Sequence, residues 1–271
     1  MAETKKKDSL KYIAMDPINQ TGAAFGVSTI KGGGPWKELS EEGFKVYKSL
    51  SDLLHTDTQH MVRPEQKHTD VVLKVEESMG GQGVIRELPK PAADGLITNI
   101  PGMALCVLTA DCVPVALADP VHRAVGMVHS GWRGTKARIS LRALEQMEKE
   151  YGTNPADVIV WIGPHICRDC YEVGPELITE FAKNFSEEET RSLFHPKDDS
   201  HYLLDMSLAI RIPLIAKGVP EENIFMSGKC TFEDKTLNSY RRDLRDGREF
   251  SGRNLSAIVV GSGPLLKTLR P

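Results

Sequence analysis

The chain has no apolar run long enough to span a bilayer, because its most apolar stretch, Ala104 to Ala118, is short and broken by Asp111. It has almost no net charge: 34 Lys and Arg stand against 37 Asp and Glu, a formal −3. Neither nucleic acid nor a membrane surface is therefore implied as a partner. The opening Met1 to Lys7 is polar and no apolar segment follows it, so no secretory leader is read there and a cytoplasmic setting is expected. Five cysteines in that setting are expected to be thiols, not a disulfide framework. Internal repeats and low-complexity linkers are also missing, and dense glycine is confined to Lys31 to Pro35 and Gly80 to Gly83. One domain over residues 1–271 is expected, with residues 1–10 as a flexible tail, in a monomer or homodimer.

The composition that remains is ordinary for a globular protein, 40% hydrophobic and 26% charged. Runs rich in β-branched and apolar residues predict strands at Ala23 to Ser28, Val71 to Val75, Leu105 to Thr109, Val113 to Ala118, Ala124 to His129, Val158 to Gly163 and Leu255 to Val260. Helical spacing places Phe44, Tyr47, Leu50 and Leu54 on one face of a helix capped by Ser40. A second helix is predicted from Thr135 to Tyr151, stopped by Gly152 and Asn154-Pro155. A third is predicted from an Asp205 cap to Gly218, with Pro213 kinking or splitting it, and a fourth over Glu176 to Phe185. The uneven alternation predicts an α+β (mixed α/β) fold, with mixed β-sheets layered with flanking helices, and not a strict βαβ array.

Three segments carry candidate metal ligands beside predicted strands: Gln66-Lys67-His68, Asp111-Cys112 and His129-Ser130-Gly131-Trp132-Arg133-Gly134. Imidazole and thiolate are donors that zinc prefers, but spacings of 44 and 17 residues fit no finger or ribbon site. Spacing alone does not separate these three from packed or surface residues.

The words TADCVPV (Thr109 to Val115), VHSGWRGT (Val128 to Thr135), WIGPHI (Trp161 to Ile166) and YEVGPE (Tyr171 to Glu176) resemble the YfiH-type, or laccase-domain, family. ADGLIT at Ala93 to Thr98 and the later SGKCT and SYRRD segments fit the same family in the same order. The resemblance runs from about Gln66 to Ser251. It implies His68, Cys112 and His129 as ligands of a zinc ion, with copper able to take the same three donors. The family pattern has glycine after the first histidine where this chain has Thr69, whose β-carbon would narrow the pocket mouth. Three protein ligands leave a fourth position for chemistry.

The resemblance implies a purine nucleoside phosphorylase, releasing a free base and ribose 1-phosphate from adenosine, inosine, guanosine or methylthioadenosine, with adenosine deamination as a second activity. Its partners would be a purine nucleoside and phosphate. Arg133 and Gly131 are candidates for holding phosphate beside the metal, though Arg133 could instead pair with a structural carboxylate. Arg63, Gln66 and the Arg241-Arg242 pair, Arg242 above all, are further candidates for substrate contacts, with structural roles open for each. Asp111 is a candidate to orient a ligand or carry a proton, or else to cap a turn; Asp94 has the same alternatives. Cys167 and Cys170 form a Cys-x-x-Cys pair with no second such pair, and are read as structural or incidental thiols. Cys230 is read as pocket-lining, Cys106 as core. Two competing readings are a copper-dependent polyphenol oxidase and a non-catalytic protein that closes its metal site with Cys230 or Cys106.

Overall fold

The computed structural model describes residues 3–7, 10–29 and 41–261. Each strand predicted from the sequence pairs into one of two six-stranded mixed sheets, and a third sheet joins Glu172–Val173, Tyr202–Leu204 and Phe194–Pro196. The first runs Thr4–Lys7, Leu10–Ala14, Ala24–Thr29, Asn254–Val260, Ala104–Thr109 and Met61–Val62. The second runs Ile224–Met226, Ile159–Ile162, Val113–Asp119, Ala124–Ser130, Gly95–Thr98 and Val72–Lys74.

Side chains two apart on a strand share a face, and this sorts the core into layers. Leu105 and Val107 face Ala116, Val125 and Met127 between the sheets. Their neighbours Cys106 and Leu108 pack outward against Tyr47, Leu50 and Leu53 of the helix Glu41–Leu53 and against Leu54 just beyond it. On the second sheet, Val113, Val115 and Leu117 pack outward against Leu144, Met147, Ile210 and Leu214 of the helices Ile139–Tyr151 and Met206–Lys217. The result is helix, sheet, sheet, helix. Strands buried on both faces read as continuous apolar runs, which is why the central ones were legible.

Several predicted boundaries move. The segment expected as a flexible tail contains the edge strand Thr4–Lys7, paired to Leu10–Ala14, and its lysines suit an exposed edge. The Ser40 cap lies outside the described residues, and Phe44 is 41% exposed instead of on the buried face. No helix begins at Thr135. A short helix, Trp132–Lys136, follows Gly131 directly, and Arg138 in left-handed backbone (φ 59°) separates it from Ile139–Tyr151. Thr135 is buried and shares a hydrogen bond with Ser130 Oγ (2.7 Å), so its hydroxyl ties the turn inward and caps nothing. Pro213 sits inside Met206–Lys217 without ending it. Glu176 opens a helix that stops at Phe181, and a second helix, Glu187–Leu193, starts on a reciprocal Ser186–Glu189 capping box.

Candidate metal centre

Strand register assembles the site at one end of the second sheet. The hairpin pairing of Val113 with Ser130 and Pro114 with His129 puts Cys112 beside Gly131. Pairing of Gly95 with Val128 sets Asp94 next to His129. Parallel pairing of Val72 with Gly95 delivers the preceding segment, with His68, to the same corner. Two residues there adopt left-handed backbone, His68 (φ 58°) and Asp111 (φ 87°). Asp111 lies in the short link that carries the chain from one sheet to the other.

The ligand atoms of His68, Cys112 and His129 lie within 4.8 Å of one another. Cys112 Sγ is 3.8 Å from His68 Nε2, and the two imidazoles stand edge to face with centroids 4.9 Å apart. Zinc bonds of about 2.0–2.3 Å in a tetrahedron hold donors roughly 3.5 Å apart, so the spacing fits such an ion. Among the described residues no fourth His, Cys, Asp or Glu joins this group. Cys106 is in the core and Cys230 belongs to a different cluster, so neither closes the site.

Asp94 is the residue whose role the sequence left open. Fully buried, it accepts from His129 Nδ1 (2.7 Å), from the backbone N–H groups of Lys67, His68 and Thr69, and from Thr69 Oγ1 (2.8 Å). One carboxylate thus orients His129, leaving Nε2 to face Cys112, and clamps the loop that carries His68. Burial would raise Asp94, but His129 and Thr69 outweigh it and hold the carboxyl below its usual range. Burial likewise opposes charge on Cys112, yet His129 and His68 bring its thiol down to about 6. Burial pulls His129 down, while Cys112 and Asp94 bring it up to about 9. Two anions converging on one imidazole create a field that suits a divalent cation.

The other candidates separate into two groups. Asp111, Arg133 and the triad's outer members line a cleft of about 330 Å³ walled by Trp132, Ile166, Tyr171 and Met206. Arg133 stacks over the Trp132 ring at 4.2 Å and makes no ion pair among the described residues, against the structural-carboxylate alternative. Asp111 accepts from Thr231 Oγ1 (2.6 Å) and from the Arg241 N–H (2.7 Å), so both its oxygens are engaged in holding the cleft wall.

Gln66 lies elsewhere in role: its amide pairs with both backbone groups of Leu108, tying the His68 loop to the strand before Cys112. Arg63 donates to the carbonyl of Gly83 (3.0 Å). Arg242 is the clearest departure from its expected substrate contact. It is 6% exposed, and its guanidinium donates to the carbonyls of Thr231, Phe232, Asp234 and Leu237. Its neighbour Arg241 is the one that reaches the cleft, 5.3 Å from the Tyr171 ring. Thr69 does not line the cleft; its hydroxyl turns to Asp94. His165 is buried and bonded to the Gly163 carbonyl (2.7 Å).

The profile of the family described as multi-copper polyphenol oxidoreductase laccase matches residues 40–261. The chain belongs to this family. Among its laccase-family relatives, a purine nucleoside phosphorylase of Bacteroides thetaiotaomicron is 34% identical over 78% of this chain and 80% of its own length. A protein named adenosine deaminase RL5, from an unknown prokaryotic organism, is 32% identical over 75% and 78% of the two chains. The crystal structure of Bacillus licheniformis YfiH superposes with a TM-score of 0.83 at 29% identity, covering 95% of this chain and 98% of that one.

Gly131 shows how tightly the laccase-family site is built. A β-carbon there would stand 2.6 Å from His68 Cδ2 and 3.2 Å from Cys112 Sγ. Gly131→Ala should therefore push the two ligands apart at a cost of about 1–3 kcal/mol, roughly tenfold or more in metal affinity. Competition against a chelator reads this directly, and an unchanged affinity would show that the ligands tolerate the displacement.

Proposed function

We propose that the protein is a zinc-dependent purine nucleoside phosphorylase, with adenosine deamination as a second activity of the same cleft. The observation that carries the reading is an N₂S ligand triad with no fourth protein ligand among the described residues, opening on a cleft that combines an apolar wall with two arginines. The relatives' names, phosphorylase and deaminase, support this class of chemistry. The purine packs against Tyr171, Ile166 and Met206, and Arg133 and Arg241 receive the phosphate through forked N–H donors. Trp132 holds the Arg133 guanidinium flat beneath it. Asp111 keeps Arg241 at the cleft wall through the Arg241 backbone. In phosphorolysis a phosphate oxygen bonds to C1′ while the C1′–N9 bond breaks and the base leaves with a proton. A zinc ion held by His68, Cys112 and His129 would supply Lewis acidity to the cleft. Copper could occupy the same donors. A multicopper oxidase also needs a histidine-rich cluster, and His68 and His129 are the only histidines in either ligand group among the described residues.

Adenosine incubated with the metal-loaded protein should yield adenine and ribose 1-phosphate only when phosphate is present, and His129→Ala should yield neither. Inosine formed without phosphate would report deamination. Unchanged adenosine under both conditions would overturn the proposal.

A further inference from the structure

A second cluster of ligand atoms lies outside the triad. The thiols of Cys167, Cys170 and Cys230 and the carboxylate of Glu233 all fall within 4.8 Å of one another. The sequence shows one Cys-x-x-Cys pair, and its counterpart is Cys-x-x-Glu, 60 residues further on.

Both halves are shaped as turns. The single turn Arg168–Cys170, closed by the Cys170 N–H to the Cys167 carbonyl (3.1 Å), brings the first two thiols to one side. The Asp234 N–H bonds back to the Cys230 carbonyl (2.9 Å), which curls Glu233 over Cys230. The halves are joined by the bridge between His165 and Cys230 and by the Cys167 N–H, 3.4 Å from Cys230 Sγ. Glu233 is exposed and makes no ion pair among the described residues. Three thiolates held this close would repel one another, and a divalent cation among them removes that repulsion. A disulfide would use only two of the three sulfurs and leave Glu233 without a task.

We propose that Cys167, Cys170, Cys230 and Glu233 form a second metal site, which binds a divalent ion of the zinc class in closed four-coordinate geometry. With every position filled by protein, the ion is structural and does no chemistry. It staples the segment that supplies Ile166 and Tyr171 to the cleft onto the turn that carries Thr231, whose hydroxyl holds Asp111. The second ion thus braces the wall facing the catalytic one.

The full chain, expressed in zinc-supplemented medium, kept reduced and freed of loose metal, should contain two equivalents of zinc by elemental analysis. Cys112→Ser and Cys170→Ser should each lower the content to one, and the double variant to none. Should Cys170→Ser fail to fold, the wild type alone decides. Cobalt(II) added to metal-free protein should bind in two steps, one carrying the stronger sulfur-to-metal absorption expected of three thiolates. Glu233→Gln, at an exposed position, should weaken that step and leave the other untouched. A wild type that holds a single equivalent, lost in Cys112→Ser, overturns the proposal whether its other thiols titrate as free or as a disulfide.

Discussion

Asp94→Asn is expected to lower metal affinity by about 10–100-fold while leaving all three ligands in the chain. The carboxylate collects five donors, and an amide can accept at only one of its two ends. If the amide oxygen keeps Thr69 and Lys67, the amide nitrogen faces the His129 ring. His129 must then accept at Nδ1 and carry its proton on Nε2, the atom that should face the metal. The His68 loop also loses part of its clamp, because the His68 N–H bonds the same carboxylate oxygen as His129. Leaving buried donors unpaired costs about 1–3 kcal/mol each, so melting temperature should fall with affinity. Chelator competition and thermal unfolding on one preparation test both parts. Affinity within twofold of the wild type would remove Asp94 from the ligand-orienting role.

Arg242→Met is expected to destabilise the fold by about 3–5 kcal/mol, a fall in melting temperature of roughly 10 °C. The buried guanidinium satisfies carbonyls of Thr231, Phe232, Asp234 and Leu237, and methionine fills the space without offering a donor. Lysine is no remedy, because one ammonium cannot reproduce the planar fork. Arg241→Met is the informative contrast. That side chain is half-buried at the cleft, with one bond to the Glu172 carbonyl, so its loss should weaken phosphate binding and change stability little. Thermal unfolding of both variants beside their phosphate dependence separates the two arginines. A stable Arg242→Met protein with a raised KM for phosphate would reverse the assignment.

That pair of arginines marks where the sequence stops being informative. Arg241 and Arg242 are adjacent and chemically alike. Which one is buried depends on the position of the short helix Tyr240–Arg245 against the 231–237 loop. Gln66 and Arg63 precede the first ligand in sequence, yet the Gln66 amide bonds Leu108 and Arg63 Nε bonds Gly83 because the neighbouring strand and loop present backbone groups there. Ser186-x-x-Glu189 was a visible start signal, obscured by reading the preceding helix through to Phe185.

The sequence by itself determined the layered α+β class, most central strands, the Asp205 and Gly218 ends of one helix, and the two residue types able to hold an ion. These follow from alternation, capping and donor chemistry, all properties of a residue and its near neighbours. Tertiary structure alone decided that Asp94 serves both histidines, that Arg241 and not Arg242 reaches the cleft, and that Cys230 and Glu233 meet Cys167 and Cys170. Each of those depends on strand register and loop closure between segments tens of residues apart, where a slip of one position would turn a side chain to the opposite face.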